Sequence, residues 1–550
     1  MKKYLGFLVY FLAFILPFEL WEFSTNQVIG SRVFVVLVTY ALANGLLFAV
    51  LGIILSMISK RLAIVYTHVY FLVAYTIVLG LLVLQVLLHI PFSLMVLNAL
   101  FDTTVVESSE YFSAQLSAFN LLALLLLLAS IVYLWRYFVQ VTQSVFAVLL
   151  RTKIKMILPI AVFYTVCILQ NDLLYSNNMF NELQDAFAQY KQEKALLGKE
   201  NNYAYLKNVQ AVPCYHLATD TVANTIVLVL GESLSRHHMS LYGYGRETNP
   251  LLASVQSELV VFDDVIAPAQ TTIMSLQKML SFATIKHPDL LYTQPTMLDV
   301  FNRAGYKTYW ISNQQVSGIH DTWSKVYAQK ASTPIFVNNT NSWLHYSFDE
   351  QLLPHFAAAL KDTSKFKLIV LHLLGNHMRY DKRYTATFDR FSSAQAFPLI
   401  CKDAGEQEEQ MINTYDNAVL YNDYILYQCI QLLRKSTQQT HLVYVSDHGE
   451  AVCEESEYCG HDGAAMSRYM REVPFLYWSN RSMHTKEAMM TWTHRPFQTD
   501  QLMNAMLDLG QLRTPMFDST KSIFSAYFVP SKRYMHDLDY DSLYRKTIIQ

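Results

Sequence analysis

The chain is poor in charge. Asp, Glu, Lys and Arg make up 16% of its 550 residues and leave a net charge of −2, whereas soluble domains carry about a quarter charged residues. A chain this balanced has no bulk field to hold nucleic acid, and that class of partner is excluded. Cysteine is scarce as well, with six in the whole chain, which excludes a small disulfide-framework fold. Low-complexity tracts and internal repeats are missing. What is abundant is apolar surface: 52% of residues are hydrophobic, and the mean hydropathy is +0.18. That is ample for a core, so a disordered chain is excluded too. The length allows roughly three to four domains' worth of residues.

The apolar excess is concentrated in the first third. Five runs stand out: Tyr4–Trp21, Val33–Ile58, Leu62–Ile90, Leu116–Trp135 and Met156–Gln170. The second and third hold no charged residue. A helix crossing hydrocarbon needs about 20 largely apolar residues, because only internal hydrogen bonds satisfy its backbone there. Five transmembrane helices are therefore expected over residues 1–175. The fifth run is short and is helped by snorkelling Lys153 and Lys155. The first lacks a small-x-small exit and reads as an uncleaved span. Basic residues set the orientation. Lys2, Lys3, Lys60, Arg61, Arg136, Arg151, Lys153 and Lys155 fall on one side; Glu19, Glu22, Asp102, Glu107 and Glu110 fall on the other, with Arg32 the exception. This places everything after residue 175 outside the cytoplasm, in the periplasm of a bacterium with two membranes. Residues 176–220 are polar and mixed, and read as linker helices.

From residue 221 to 550 the pattern changes to short β-rich runs alternating with helical ones. The runs are Thr225–Gly231, Lys307–Asn313, Phe366–Gly375, Thr440–Asp447 and Val473–Ser479. Continuous apolar runs of this length suit strands buried on both faces, as in a parallel sheet. Helical patterns lie between, such as Pro295–Gly305 and Glu408–Arg434. The alternation predicts an α/β three-layer sandwich.

Polar residues of catalytic type follow the strand ends: Glu232, Asn313, His372 with His377, and Asp447 with His448. Open α/β sheets bind ligands outside the carboxyl ends of their strands. Carboxylates and imidazoles gathered there suit Zn²⁺. His461 lies in CGHDG, 13 residues after His448, between glycines that allow close backbone approach. Taken with His377, it would hold a phosphate or a second metal. Candidate nucleophiles are Ser233, Ser235, Thr271 and Thr272. Ser233 sits in GESLS, which lacks the final glycine of a nucleophile elbow. The two threonines precede a helical pattern from Ile273, where a threonine caps and a helix N-terminus favours phosphate.

Six segments together carry a resemblance. They are Leu228–Leu252 (LVLGESLSRHHMSLYGYGRETNPLL), Thr271–Ala283, Leu371–His377, Asn413–Asp423, Ser446–Glu450 (SDHGE) and Gly460–Gly463 (GHDG). In order and spacing the chain resembles the bacterial phosphoethanolamine transferases, membrane enzymes whose periplasmic domain is of the alkaline phosphatase and sulfatase type. The resemblance implies zinc held by Glu232, Thr272, Asp447 and His448, with Thr272 the catalytic nucleophile. It implies further site histidines at His377 and His461, which with Asn313 are taken as substrate-binding. It also nominates Glu107, in Asp102–Glu110, for the lipid donor. The partners implied are phosphatidylethanolamine as donor, a lipopolysaccharide or other envelope glycan as acceptor, and the inner membrane. A rival of similar layout is a phosphoglycerol transferase of the lipoteichoic acid synthase type; another is a phosphodiesterase of the same fold. One departure is clear. Lipid A-directed members carry a cysteine where Lys278 stands, and no cysteine lies near Thr272. The segments are closer to members that modify the lipopolysaccharide core. Cys453 and Cys459 form the one local pair, and an oxidising compartment permits a bridge between them.

Overall fold

The structure, a computed structural model, describes residues 222–314, 323–338, 347–392, 405–454, 459–461, 466–481 and 486–544, with 212–216 and single positions elsewhere. Of the N-terminal third it describes residues 54–82 and a few other positions. Glu107, most of the linker and most of the five apolar runs therefore lie outside the described residues. The chain divides into an N-terminal and a C-terminal compact unit.

In the N-terminal unit, helix α1 (Lys60–Leu82) covers most of the third apolar run. Ser59 opens it, its hydroxyl accepting from Arg61 N–H at 3.2 Å. Ala63, Thr67 and Phe71 are buried at a spacing of four, one face of a helix, while Leu62, Val65, Val69 and Leu72 are exposed. Among the described residues no helix is long and apolar enough to cross a membrane.

The C-terminal unit is built on a seven-stranded sheet. Its strands are β1 (Asn224–Gly231), β2 (Leu259–Phe262), β3 (Lys307–Ser312), β4 (Thr333–Phe336), β5 (Phe366–His372), β6 (Gln439–Ser446) and β7 (Phe475–Ser479). Their spatial order is β2-β7-β6-β1-β5-β3-β4. The middle of the sheet is parallel: β1 pairs with both β5 and β6, and β3 with β4 and β5. All eight residues of β1 are buried. Alternate residues serve opposite faces. Ile226, Leu228 and Leu230 join a core with helices α2 (Thr272–Met279), α3 (Met297–Arg303), α4 (Trp323–Lys330) and α7 (Leu502–Leu509). Val227 and Val229 join a second core with α5 (Leu352–Leu360) and α6 (Glu406–Leu433). Three layers result, as the alternating pattern predicts.

The boundaries shift where local chemistry decides them. Pro295 stands just outside α3. The helix is started by a capping box in which Asp299 accepts from Thr296 N–H at 2.9 Å. Strand β5 stops at His372, three residues short of the apolar run's end, because Leu374 and Gly375 give their N–H groups to Asp349 rather than to a neighbouring strand. Two strands, β2 and β4, are additions to the sequence reading, and both lie at sheet edges. The run Val473–Ser479, read with the others as suiting a parallel sheet, forms β7, which runs antiparallel to β6 and β2. No helix is described between β6 and β7, and a parallel return needs a crossover.

Candidate active site

The ends of β1 and β6 bring the first ligand candidates together. Asp447 N–H donates to Gly231 O at 3.1 Å, so the ladder continues one step past the strands. Beyond it both chains turn. Ser233 takes a left-handed φ of 54°, unusual for a residue with a Cβ. Its N–H reaches Asp447 Oδ1 at 3.3 Å, and its carbonyl accepts from Tyr415 Oη at 2.7 Å. After His448 the chain passes so close to Tyr469 that a Cβ on Gly449 would lie 2.2 Å from its carbonyl oxygen. Nδ1–H of His448 donates to Gly449 O at 2.7 Å, which fixes the tautomer and turns Nε2 inward.

Thr272 completes the cluster from the opposite side. It is the first residue of α2, and Thr271 is the N-cap, without a side-chain capping bond. Thr272 Oγ1 donates to Glu232 Oε1 at 2.9 Å and lies 3.4 Å from His448 Nε2. His448 Nε2 is 3.3 Å from Glu232 Oε1 and 3.7 Å from Asp447 Oδ2. Glu232, Asp447 and His448 are all buried. Their ligand atoms lie within 4.8 Å of one another, close enough to share one cation. Asp447 Oδ2 is buried and has no hydrogen-bond partner. Two buried carboxylates facing one imidazole lack positive charge, and an orphaned oxygen aimed into the cluster is what a divalent cation would satisfy. The donor set, oxygens with one imidazole, fits zinc.

The charges pull the two carboxylates apart. Burial works to raise Glu232, but the hydrogen bond and charge of His448, then His377 and His372, outweigh it and hold the carboxyl well below the usual range. Burial and the Glu232 charge push Asp447 up. Burial works against the charged form of His448, and Asp447 with Glu232 overcomes it and raises its pKa.

Residues 224–512 match the sulfatase family. Phosphoethanolamine transferase EptC of Escherichia coli O18:K1:H7 is 30% identical over 491 residues, covering 82% of each chain. The chain belongs to the phosphoethanolamine transferase family. Phosphoethanolamine transferase CptA of Salmonella typhimurium is 28% identical over 487 residues, again 82% of each chain. Among solved structures, the zinc complex of the C-terminal periplasmic domain of Escherichia coli EptC is 31% identical. It covers 61% of this chain and 97% of that one, with a TM-score of 0.57. The integral membrane protein lipooligosaccharide phosphoethanolamine transferase A from Neisseria meningitidis is 20% identical. It shares the fold over 94% of this chain and 97% of its own, with a TM-score of 0.62.

Two further histidines anticipated from the family's pattern, His377 and His461, are among the described residues. His377 stands just past β5 on a turn held by Asp349, whose Oδ1 accepts from Leu374 N–H at 2.8 Å and Oδ2 from Gly375 N–H at 3.0 Å. Gly375, at φ 53°, presses on Glu232 so closely that a Cβ would lie 2.9 Å from its backbone. Asn313 does not offer its amide to a substrate. It is fully buried, donating to Asp349 Oδ1 at 2.8 Å and accepting from Ser347 Oγ at 2.5 Å. The next residue, Gln314, reaches the cluster instead, its Nε2 3.3 Å from Glu232 Oε2. The side chain that reaches the cluster is thus one residue later than the sequence reading put it, in the turn after β3.

His461 lies beside His448, ring centroids 4.3 Å apart. Its Nδ1–H donates to Glu450 Oε2 at 2.7 Å, and Glu450 Oε1 accepts from Tyr380 Oη at 2.5 Å. Glu450 was unassigned in the sequence, although it closes SDHGE two residues after His448. His448, Glu450 and His461 form a second close group. The one free nitrogen of His448 already faces the first group, so Glu450 is better read as the orienter of His461. Cys453 is disulfide-bonded and Cys214 and Cys429 are free. The backbone of Cys459 pairs with that of Val452, the residue before Cys453.

Proposed function

We propose that this protein transfers phosphoethanolamine from phosphatidylethanolamine to a lipopolysaccharide acceptor, with Thr272 as nucleophile. The observation that carries this reading is the meeting of Thr272 Oγ1 with Glu232, Asp447 and His448 around an unsatisfied carboxylate oxygen. Zinc held by those four residues would lower the pKa of the threonine hydroxyl and polarise a phosphoryl oxygen. Glu232 Oε1 accepts the hydroxyl's hydrogen bond, and so orients the oxygen and shares its proton. Thr272 Oγ1 bonds to phosphorus as the bond from phosphorus to the glycerol oxygen breaks, and diacylglycerol leaves with a proton. In the second step an acceptor oxygen bonds to phosphorus, the bond to Thr272 Oγ1 breaks, and the threonine recovers its proton. His461, oriented by Glu450, and His377 would steady the phosphoryl group. The amides at the start of α2 add to that stabilisation.

A lipid donor calls for a membrane site. The fold shared with an integral membrane protein over 94% of this chain, and the apolar runs before residue 175, support five spans. They also support a linker over 176–220 and a catalytic domain from 221 on the periplasmic face of the inner membrane.

The test is Thr272→Ala in the full chain. Turnover of a fluorescent phosphatidylethanolamine should be lost, and peptide mass analysis of the wild type should find phosphoethanolamine on Thr272. Normal turnover by the variant would refute the assignment. Thr271→Ala should keep most of the activity.

A further inference from the structure

An open cavity of about 930 Å³ lies in the same domain, and none of Thr272, Glu232, Asp447 and His448 lines it. Its walls come from the turn after β1, the edge strand β2, the stretch Arg468–Glu472 and residues between 533 and 544. Two backbone segments link it to the candidate site. Arg236 follows Glu232 by four residues and donates its N–H to Glu472 O at 3.2 Å. Gly449, next to His448, donates its N–H to Met470 O at 2.9 Å.

The cavity's charges are uneven. The buried carboxylate of Glu472 is met by Arg236, His237 and Arg468 together, and accepts from the hydroxyl of Tyr540. Two guanidiniums share this one carboxylate, so an anion entering here would meet charge-assisted donors. Carboxylates stand beside them: Arg533 lies between Asp264 and Asp541, and Asp263, whose carbonyl accepts from Arg236, faces His494. Tyr242, Tyr540 and Tyr544 line the same cavity. Guanidinium for phosphate, carboxylates that accept from hydroxyls, and ring faces for sugar C–H groups are the chemistry of an anionic saccharide.

We infer that this cavity docks the phosphorylated saccharide of the acceptor, apart from the atoms that react. The inference rests on the transfer reading above. Binding energy won at such a distance positions a large acceptor without touching the phosphoryl group.

The experiment uses the full chain in detergent and two readouts. One is release of fluorescent diacylglycerol from labelled phosphatidylethanolamine without acceptor. The other is transfer to lipopolysaccharide with its core saccharide intact, or to lipid A freed of that saccharide. Arg468→Gln leaves Glu472 with Arg236 and His237, so the fold should persist. Its KM for core-bearing lipopolysaccharide should rise about ten-fold, the loss of one charged hydrogen bond. Acceptor-free release and KM for lipid A should not move. Tyr544→Ala, at the cavity's rim, should act in the same direction if the arginine variant melts early. An unchanged KM in both variants overturns the cavity assignment and leaves the transfer reading standing. An equal KM rise with bare lipid A also overturns it. No diacylglycerol from the wild type would overturn the transfer reading itself.

Discussion

Two buried clusters in the catalytic domain are made of the same residue types and behave oppositely. One is His448 with Glu232 and Asp447; the other is His238 with Asp416 and Glu454. In the second, every carboxylate oxygen is satisfied. Asp416 Oδ1 accepts from His238 Nδ1–H at 2.7 Å, and Oδ2 from Tyr244 Oη at 2.9 Å and Arg246 Nη1 at 2.7 Å. Glu454 accepts from His238 Nε2–H at 3.1 Å and from Val452 N–H. In the first, Asp447 Oδ2 is left over. Carboxylates paired at both oxygens are scaffold; a buried carboxylate oxygen left over marks a site. Residue type alone does not separate them, and counting partners does.

The comparison can be broken most severely at Asp447. Asp447→Asn should cut transfer by at least about a thousand-fold and lower the zinc content, measured by metal analysis of the purified full chain. Unchanged metal would remove Asp447 from the ligand set. In metal-free protein the same change should cost little stability, because it removes one of two facing carboxylates. Asp416→Ala should do the reverse. It removes the carboxylate that Arg246 and His238 share, leaving His238 with Glu454 alone, so urea unfolding should show a loss of about 3–5 kcal/mol, with zinc content intact.

A gentler test uses pH. Burial works to lower the pKa of His238, but Asp416 and Glu454 overcome it and lift it to about 9 from 6.5. Since the folded value is the higher one, the protonated form stabilises the fold. The contribution is full below pH 6.5 and is lost as pH rises through about 9. The melting temperature should therefore fall between pH 7 and pH 9.5, and His238→Gln should flatten that slope. An identical slope in the variant would mean that other groups set it.

How far these features could be read in advance follows from how local they are. Strands β1, β5 and β6 announce themselves, because strands buried on both faces must be continuously apolar. Glu232, Asp447 and His448 follow from those strand ends, since a turn after a parallel strand points into one crevice. Edge strands β2 and β4 are short, and the edges of the sheet demand less of them. Choosing Thr272 over Thr271 came from the family resemblance, not from pattern. Asn313 was named in place of Gln314 because the apolar run does not reveal which residue of the turn after β3 faces Glu232. Glu450 and the His238–Asp416 contact, 178 residues apart, depend on pairings that no local pattern encodes.

The glycines around the ligands have a consequence for how such a protein changes over generations. Gly231 faces Tyr444 Oη, Gly375 faces the backbone of Glu232, and Gly449 faces the Tyr469 carbonyl, each with under 3 Å for a new carbon atom. Mutational drift is thus closed to the frame that carries the reacting groups. New acceptor preferences would have to arise at the periphery, where side chains can be exchanged without moving the main chain.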